Sequence, residues 1–379
     1  MTSLYAPDRL ARARQAAADA GLDALLITPG ADLRYLTGYA AMPLERLTCL
    51  VLPVAGEPVL VVPRLERPAA LVSPVAGLGI EVLGWDETDD PYALVAHLLR
   101  AALGRPAASG SAATRIGLAN RMWLEQGLRL RDATGAEAVL AGRVLRALRI
   151  RKSTAEVAAL RRAGQAIDRV HERVGEWLRP GRTEAEVGRD IAEAIVAEGH
   201  VRTDFVIVGS GPNGASPHHE LSDRVIEAGD PVVVDIGGTT AEGYCSDETR
   251  TYVVGGQPPA EFRRYYAVLA EAQAAACAAI TPGASCESID AAARDLITAA
   301  GYGEFFVHRT GHGIGLESHE DPYLVAGNAE PLEPGMAFSV EPGIYLPGRH
   351  GARIEDICVC TGDGGERLNL VSRDLMVLH

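Results

Sequence analysis

Acidic residues stand inside apolar, strand-like segments of the C-terminal part of the chain. Asp235 lies within Val-Val-Val-Asp-Ile, Glu341 ends the run Phe-Ser-Val, and Glu355 lies in Ala-Arg-Ile-Glu-Asp-Ile. Asp247 follows Asp235 by 12 residues, as expected for the next strand of a hairpin. Burying an ionised carboxylate without a partner is very costly, so each needs a cation or dense hydrogen bonding. The fold must therefore bring such partners to these strands.

A histidine between glycines completes this set. His312 lies in Gly-His-Gly-Ile-Gly, where the glycines let the backbone approach whatever the imidazole holds. Taken singly, such an aspartate is usually a turn residue and such a histidine a loop residue. The five residues are separated by 12, 65, 29 and 14 positions, so only a folded sheet would unite them. Their four carboxylates and one imidazole would suit and balance two divalent cations such as Mn²⁺, Co²⁺ or Zn²⁺.

Two patterns of elements divide the chain. Up to about residue 148, strand-like segments alternate with helical periodicity, which predicts an α/β domain. Ser153-Thr-Ala-Glu156 is then a capping-box sequence that begins a long amphipathic helix, which we expect to reach Leu178. A second helix, strands, two more helices and further strands follow, which predicts a pseudo-duplicated α+β domain. We therefore predict domains at residues 1–148 and 149–379.

The charge balance limits the partners of the protein. Its 379 residues include 36 Lys and Arg against 50 Asp and Glu, a formal net charge of −14. Such a surface repels polyanions, so we expect neither nucleic acid nor a membrane as partner. No apolar run approaches the ~18 residues that span a bilayer, and the N-terminus lacks the apolar stretch of a signal peptide. The six cysteines form no C-x-x-C pair, so we expect reduced thiols and a cytoplasmic protein.

The order and wording of the acidic and histidine segments resemble the prolidase and aminopeptidase P group of the pita-bread dinuclear metallopeptidases. Residues 211–219, 308–322 and 340–345 are similar to its two histidine motifs and its glutamate motif, and residues 33–39 to its creatinase-type first domain. The resemblance covers nearly the whole chain. It implies an α/β creatinase-like N-terminal domain and an α+β, pseudo-duplicated pita-bread catalytic domain. Methionine aminopeptidases and creatinases are more distant relatives.

The resemblance also implies how the five residues divide two metal ions between them. Asp235 would bind one ion, and His312 with Glu341 the other, while Asp247 and Glu355 would bridge the pair. A water between two cations has a strongly lowered pKa and supplies hydroxide near neutral pH. We expect Mn²⁺ first, with Co²⁺ or Zn²⁺ as alternatives, because all three accept these ligands.

Further roles follow from the same motifs. Glu341 would accept a proton from the attacking water, and His319 would steady the carbonyl oxygen or the tetrahedral intermediate. His218 would contact the substrate near the proline, and Arg353 would hold charged neighbours in place. The neighbouring His219 is expected to be a flanking polar residue. His308, which begins the second histidine motif, could be structural or functional.

The implied substrates are small peptides with proline at the second position. We favour dipeptides, as for a prolidase; aminopeptidase P activity on longer peptides is the alternative, and a non-catalytic peptide- or protein-binding module is a remote one. All five ligand positions are filled, which argues against such a module and against metal-free creatinase-like chemistry. Arg46 is our candidate to meet the free carboxylate of a dipeptide, although a solvated loop arginine is an equally ordinary role. A homodimer is expected from the frequency of symmetric dimers and from family habit.

Overall fold

The computed structural model describes residues 4–5, 8–104 and 114–378. Contacts between residues divide the chain into two units, Met1–Arg149 and Ile150–His379. Each unit has its own sheets and its own apolar core.

A mixed sheet of six strands organises the first unit. The strands are β1 Ala24–Ile27, β2 Cys49–Pro53, β3 Val59–Pro63, β4 Glu81–Trp85, β5 Arg115–Leu118 and β6 Glu137–Leu140, in the order β4-β3-β2-β1-β5-β6. The helices are α1 Asp8–Asp19, α2 Ala31–Thr37, α3 Arg67–Leu71, α4 Pro91–Ala102, α5 Leu124–Thr134 and α6 Gly142–Arg149. β1, β2 and β3 pair in antiparallel fashion, while β3–β4, β1–β5 and β5–β6 are parallel. This is the α/β arrangement that the alternating pattern predicts.

Four helices of the second unit are separated into two pairs along the chain. They are α7 Thr154–Glu172, α8 Glu184–Ala197, α9 Ala260–Ala279 and α10 Cys286–Ala299. The predicted capping box is confirmed, because the Ser153 hydroxyl accepts from the Glu156 N–H and the Glu156 carboxylate accepts from the Ser153 N–H. The expectation that this helix reaches Leu178 is wrong: it ends at Glu172, and a 3₁₀ turn at Val174–Glu176 follows. Gly175 lies in that turn and is a poor helix former.

Each helix pair packs with its own set of strands. The strands are β7 His200–Ser210, β8 Pro231–Thr240, β9 Glu248–Val254, β10 Gly311–Gly313, β11 Glu320–Leu324, β12 Ala337–Val340, β13 Gly343–Leu346, β14 His350–Arg353, β15 Asp356–Thr361, β16 Gly364–Arg367 and β17 Met376–Leu378. They form sheets β17-β9-β8-β7, β11-β10-β12-β15-β16 and β13-β14. One core joins α7 and α8 to β7–β9, and the other joins α9 and α10 chiefly to strands of β12–β15. This repetition of a helix pair with its strands agrees with the predicted duplication.

Strand alternation directs the acidic residues away from these cores. In β8, Val234 and Ile236 belong to the core beneath α7 and α8, so Asp235 between them points to the opposite face of the sheet. In β12, Phe338 and Val340 belong to the other core. The strand ends at Val340, so Glu341 is the first residue beyond it. Each strand therefore stabilises the fold with one face and presents polar groups with the other.

None of the helices in the described ranges combines the length and the apolar character that crossing a bilayer requires.

Candidate active site

The five predicted ligands converge in the second unit. Three overlapping groups have ligand atoms within 4.8 Å of one another: Asp247 with His312 and His319, His312 with Glu341 and Glu355, and Asp235 with Asp247 and Glu355. Asp247 and Glu355 therefore each lie within reach of both Asp235 and His312. This is the geometry that two bridging carboxylates between two ions require.

His312 is held on a strand with no room for neighbouring side chains. A Cβ on Gly311 would lie 1.9 Å from the Ser339 carbonyl oxygen, and one on Gly313 would lie 2.2 Å from that of Asp321. The His312 Nδ1–H donates to the Gly313 carbonyl at 3.1 Å, because a carbonyl can only accept. Nε2 is then the nitrogen that faces the carboxylates, and it is the one that a metal ion would take.

The carboxylates nearest to that nitrogen are Glu341 and Asp247. The His312 Nε2 lies 3.2 Å from Glu341 Oε1 and 3.7 Å from Asp247 Oδ2. The Ser339 hydroxyl accepts from the His312 N–H and donates to Glu341 Oε1 at 3.0 Å, so it fixes one residue relative to the other.

Within the ligand cluster, two buried carboxylate oxygens have no hydrogen bond from the described residues. Asp235 Oδ2 accepts from Arg353 and Glu355 Oε2 accepts from the Thr249 hydroxyl at 2.6 Å, but Asp235 Oδ1 and Glu355 Oε1 have no partner among the described residues. Orphaned buried oxygens are costly. Hard divalent cations would satisfy both oxygens, so the donor set fits the metals that the sequence implies.

The electrostatics of the site also call for positive charge. Burial and the neighbouring carboxylates raise the pKa values of Asp247 and Glu355 well above the ordinary range. Glu341 behaves oppositely: burial opposes its ionisation, but the hydrogen bond and charge of His312, with His308 and Arg353, lower its pKa to about 2. All of these carboxylates can be ionised together only if cations offset their mutual repulsion.

The second imidazole of the site belongs to His319. Its ring centroid lies 3.9 Å from that of His312, although the side chain is exposed to solvent. Desolvation, followed by the charges of His312, Arg309 and His218, lowers the pKa of His319 to about 4 against the opposing effect of Glu341. The ring is therefore neutral near pH 7 and keeps one N–H to donate.

Arg353 links the metal-ligand cluster to its surroundings. Its guanidinium donates to Asp235 Oδ2 at 2.5 Å, to the Tyr345 hydroxyl at 2.7 Å and to the Pro217 carbonyl at 3.3 Å. The Tyr345 hydroxyl accepts from Arg353 and donates to His308 Nε2 at 2.8 Å. The predicted role of Arg353 beside charged neighbours thus has a geometric basis, and His308 ends this chain of hydrogen bonds.

The residues on either side of His218 are each bonded to a buried side chain. The His218 side chain itself is exposed, and its charge acts on both His308 and His319. The preceding carbonyl, of Pro217, accepts from Arg353, and the following residue, His219, contacts Glu184 Oε2 at 2.7 Å. His219 is therefore more than a flanking polar residue, because it anchors this segment.

Arg46 belongs to the first unit, between α2 and β2. Its guanidinium lies 3.3 Å from Glu87 and 3.7 Å from Glu45. It is thus engaged with two carboxylates of its own unit, and its role toward a substrate stays a prediction.

Comparison with known families agrees with this site. Metallopeptidase family M24 matches residues 158–362, and the Creatinase/Prolidase N-terminal domain matches residues 9–151. The chain belongs to metallopeptidase family M24. It is accordingly a hydrolase of a family that uses divalent metals, and the metal-binding donor set described above lies within the matched residues.

Relatives of the family match along almost the whole chain. The crystal structure of dipeptidase PepE from Mycobacterium ulcerans is 55% identical, with a TM-score of 0.89, covering 98% of this chain and 97% of that chain. A prolidase from Thermococcus sibiricus is 35% identical, with a TM-score of 0.90 and coverage of 99% and 100%. The Xaa-Pro dipeptidase of Lactobacillus delbrueckii subsp. lactis is 35% identical over 360 residues, which are 94% of this chain and 95% of that protein. These matches confirm the predicted fold class, a creatinase-like domain followed by a pita-bread catalytic domain.

The sequence did not reveal several residues that support this family M24 site. Tyr345 lies in the glutamate motif but carried no predicted role, and Thr249 and Ser339 looked like ordinary strand residues. Glu184 begins α8, where an acidic residue is normal for the first helical turn. Its complete burial and its bonds to residues 210–222 follow only from the three-dimensional fold.

Proposed function

We propose that this chain hydrolyses the Xaa-Pro bond of dipeptides. The observation that carries the proposal is the convergence of four carboxylates and His312 beside His319 and Arg353. The names of the relatives, dipeptidase PepE, Xaa-Pro dipeptidase and prolidase, support the same substrate class. A dedicated site is needed because the amide nitrogen of proline carries no hydrogen and cannot take part in ordinary backbone recognition.

Two divalent cations would be held by the five ligands, with Mn²⁺ as our first choice and Co²⁺ or Zn²⁺ as alternatives. Asp235 would bind one ion, His312 and Glu341 the other, and Asp247 and Glu355 both. When bound, the pair would lower the pKa of a shared water and neutralise the charge of the carboxylates. The overlapping groups of ligand atoms support this division.

Side chains around this cluster would orient the substrate and move protons. Glu341 would accept a proton from the attacking water and return it to the leaving nitrogen. His319, neutral near pH 7, would donate its N–H to the oxygen of the scissile carbonyl. His218 would contact the substrate near the proline, and Arg353 would keep Asp235 and the backbone at Pro217 in place.

The main alternative is release of the N-terminal residue from longer Xaa-Pro peptides, as in aminopeptidases P. The metal ligands and imidazoles would serve both reactions equally. The two differ in whether a cation meets a free carboxylate directly after the proline, and Arg46 is the candidate that the sequence suggests. The complete donor set argues against the remote alternative, a non-catalytic binding module.

We further propose a cytoplasmic homodimer. All six cysteines are free, and burial raises the pKa of those at Cys49 and Cys245 to about 12, which suits a reducing compartment. Symmetric dimers are the commonest soluble oligomers. Size-exclusion chromatography with light scattering tests the dimer.

Turnover of matched peptides tests the proposed reaction. The metal-free protein is reconstituted with Mn²⁺ and supplied with Ala-Pro, with a pentapeptide that begins Ala-Pro, and with Ala-Ala as the control for proline. We expect rapid hydrolysis of Ala-Pro alone. Preference for the pentapeptide would favour the aminopeptidase P alternative, and no cleavage of either Ala-Pro peptide would refute both.

A further inference from the structure

One arginine near the metal-ligand cluster has no acidic partner in the part of the chain that the structure describes. Arg309 precedes His312 by three positions and is partly buried. Within the described residues its guanidinium makes no ion pair, and it lies over the face of the Tyr323 ring, 4.4 Å from the ring centroid. An arginine held over an aromatic ring keeps its hydrogen-bonding edge available to a ligand.

The other cations around this cluster are already engaged. Arg353 donates to Asp235, Lys152 lies 2.8 Å from Glu320, and Arg294 lies 2.8 Å from Asp290. Arg309 therefore differs from its neighbours, because its charge is not balanced by a carboxylate of the described part of the protein.

The platform under Arg309 lies beside the metal-ligand strand. Tyr323 on β11 is the direct cross-strand partner of His312 on β10. Directly paired residues of antiparallel strands project their side chains from the same face of the sheet, so the Tyr323 ring shares a face with the His312 imidazole.

A Xaa-Pro dipeptide carries a carboxylate directly after the bond to be cleaved. A carboxylate that leaves water for a binding site without a partner loses much of its hydration energy, so a site that selects dipeptides needs a cation at the proline end. A guanidinium is suited to that task, because it offers two parallel N–H donors to a carboxylate.

We propose that Arg309 is the specificity-determining residue that receives the free carboxylate of the proline in a dipeptide substrate, with Tyr323 as the platform that orients it. This rests on the proposed function. Arg46, the candidate from the sequence, already contacts Glu45 and Glu87. Arg309 has no ion pair among the described residues, so unlike Arg46 it can bind a substrate without first breaking one.

Paired substrates that differ only in this carboxylate test the proposal on the Mn²⁺-loaded enzyme. The variants are Arg309→Gln, Arg309→Lys and Arg46→Ala, with Arg162→Gln as the matched control, because Arg162 pairs with Glu242 at the surface. We expect the ratio of kcat/KM for Ala-Pro to that for Ala-Pro amide to fall roughly 10- to 100-fold in Arg309→Gln, the loss of a charged hydrogen-bond pair. Arg309→Lys keeps the charge but not the fork, and should lie in between. An unchanged ratio in Arg309→Gln would overturn the proposal, and a ratio that falls only in Arg46→Ala would transfer the role to Arg46.

Binding of the product fragment gives a readout that needs no turnover. We expect L-proline to bind the Mn²⁺-loaded protein at least about tenfold more tightly than prolinamide by calorimetry, and Arg309→Gln to remove that difference. If the wild type binds proline in this way but cleaves no Xaa-Pro peptide, the proposed function fails while the assignment of Arg309 stands. A preference for proline that persists in a folded Arg309→Gln protein, with an unchanged melting temperature, refutes the assignment by itself.

Discussion

Replacement of Glu184 by glutamine should loosen the segment that carries His218. The Glu184 side chain is fully buried at the start of α8. Its Oε1 accepts from the Ser210 N–H at 2.7 Å and from the Ser210 hydroxyl at 2.6 Å, and its Oε2 accepts from His219 at 2.7 Å and from the Ser222 hydroxyl at 2.5 Å. The carboxylate thus ties together both ends of the segment around His218.

The geometry dictates how an amide would fit. The Ser210 backbone N–H can only donate, so the glutamine oxygen must remain on that side and the NH₂ group must face His219 and Ser222. The Ser222 hydroxyl already accepts from Asn213 and from a backbone N–H. The variant therefore loses a hydrogen bond to a charged acceptor, which contributes about 1.5–3 kcal/mol, and regains a neutral one at His219 of about 1 kcal/mol. We expect a net loss of about 1–3 kcal/mol and a melting temperature lower by about 3–10 °C.

Thermal unfolding and steady-state kinetics measure the two consequences. The matched control is Glu186→Gln, two residues along the same helix, because glutamine serves as well as glutamate in the capping box with Thr183. If Glu184 positions His218, KM for Ala-Pro should rise several-fold in Glu184→Gln, with a smaller change in kcat, and Glu184→Asp should restore part of the loss. Equal stability and equal KM in Glu184→Gln and Glu186→Gln would refute the positioning role.

The pH dependence of stability provides an independent check. Burial opposes ionisation of Glu184, but hydrogen bonds from Ser210, Ser222 and His219 outweigh it and lower the pKa of this carboxyl. A group with a depressed folded-state pKa adds stability that is complete above its unfolded pKa, about 4.3, and is lost as the pH falls through the folded value. The difference between wild type and Glu184→Gln in urea titrations should therefore be constant above about pH 5 and shrink below about pH 4. A difference that grows on acidification would contradict this sign.

Three further outcomes follow from the structure. Chelation should abolish Ala-Pro hydrolysis, and readdition of Mn²⁺ should restore it with about two ions per chain by metal analysis, because five donors surround the orphaned oxygens of Asp235 and Glu355; one ion per chain at full activity would contradict a dinuclear site. Arg250→Met should cost about 3–5 kcal/mol in urea unfolding, because it leaves Glu248 buried without its cation and leaves Asp356 with Arg367 alone, whereas the surface pair of Arg162 predicts under about 1 kcal/mol for Arg162→Met. Arg46→Ala should change KM for Xaa-Pro dipeptides and tripeptides by similar factors, because Arg46 already pairs with Glu45 and Glu87, and a rise confined to dipeptides would return the carboxylate role to Arg46.

Much of the fold could be predicted because local signals and packing agree. The hairpin between Asp235 and Asp247 is present as the antiparallel pair β8–β9, and both α7 and α8 begin at capping boxes. The end of α7 could not be predicted, because its apolar periodicity continues past Glu172 while the backbone changes to a 3₁₀ turn. Periodicity records which face is buried, and that face can remain buried when the helix type changes.

The metal ligands could be predicted for a stronger reason. A carboxylate between Val234 and Ile236 is a violation of strand patterning that must be compensated elsewhere in the fold, so the violation itself marks the site. Glu184 and Arg309 carry no such mark. An acidic residue in the first turn of a helix and a basic residue in a loop are both ordinary in sequence.

The importance of Glu184 and Arg309 depends instead on the partners that the tertiary structure places beside them. Glu184 is buried but receives hydrogen bonds from Ser210, His219 and Ser222, so the cost of burying its charge is met within the protein. Arg309 is partly buried and, in the part of the chain that the structure describes, forms no ion pair with a carboxylate. Sequence identifies residues whose type conflicts with their local pattern, whereas residues that conflict only with their three-dimensional partners become visible through the structure. Arg309 is a partly buried cation that lacks a carboxylate partner among the described residues. The free carboxylate of a dipeptide substrate would supply that partner.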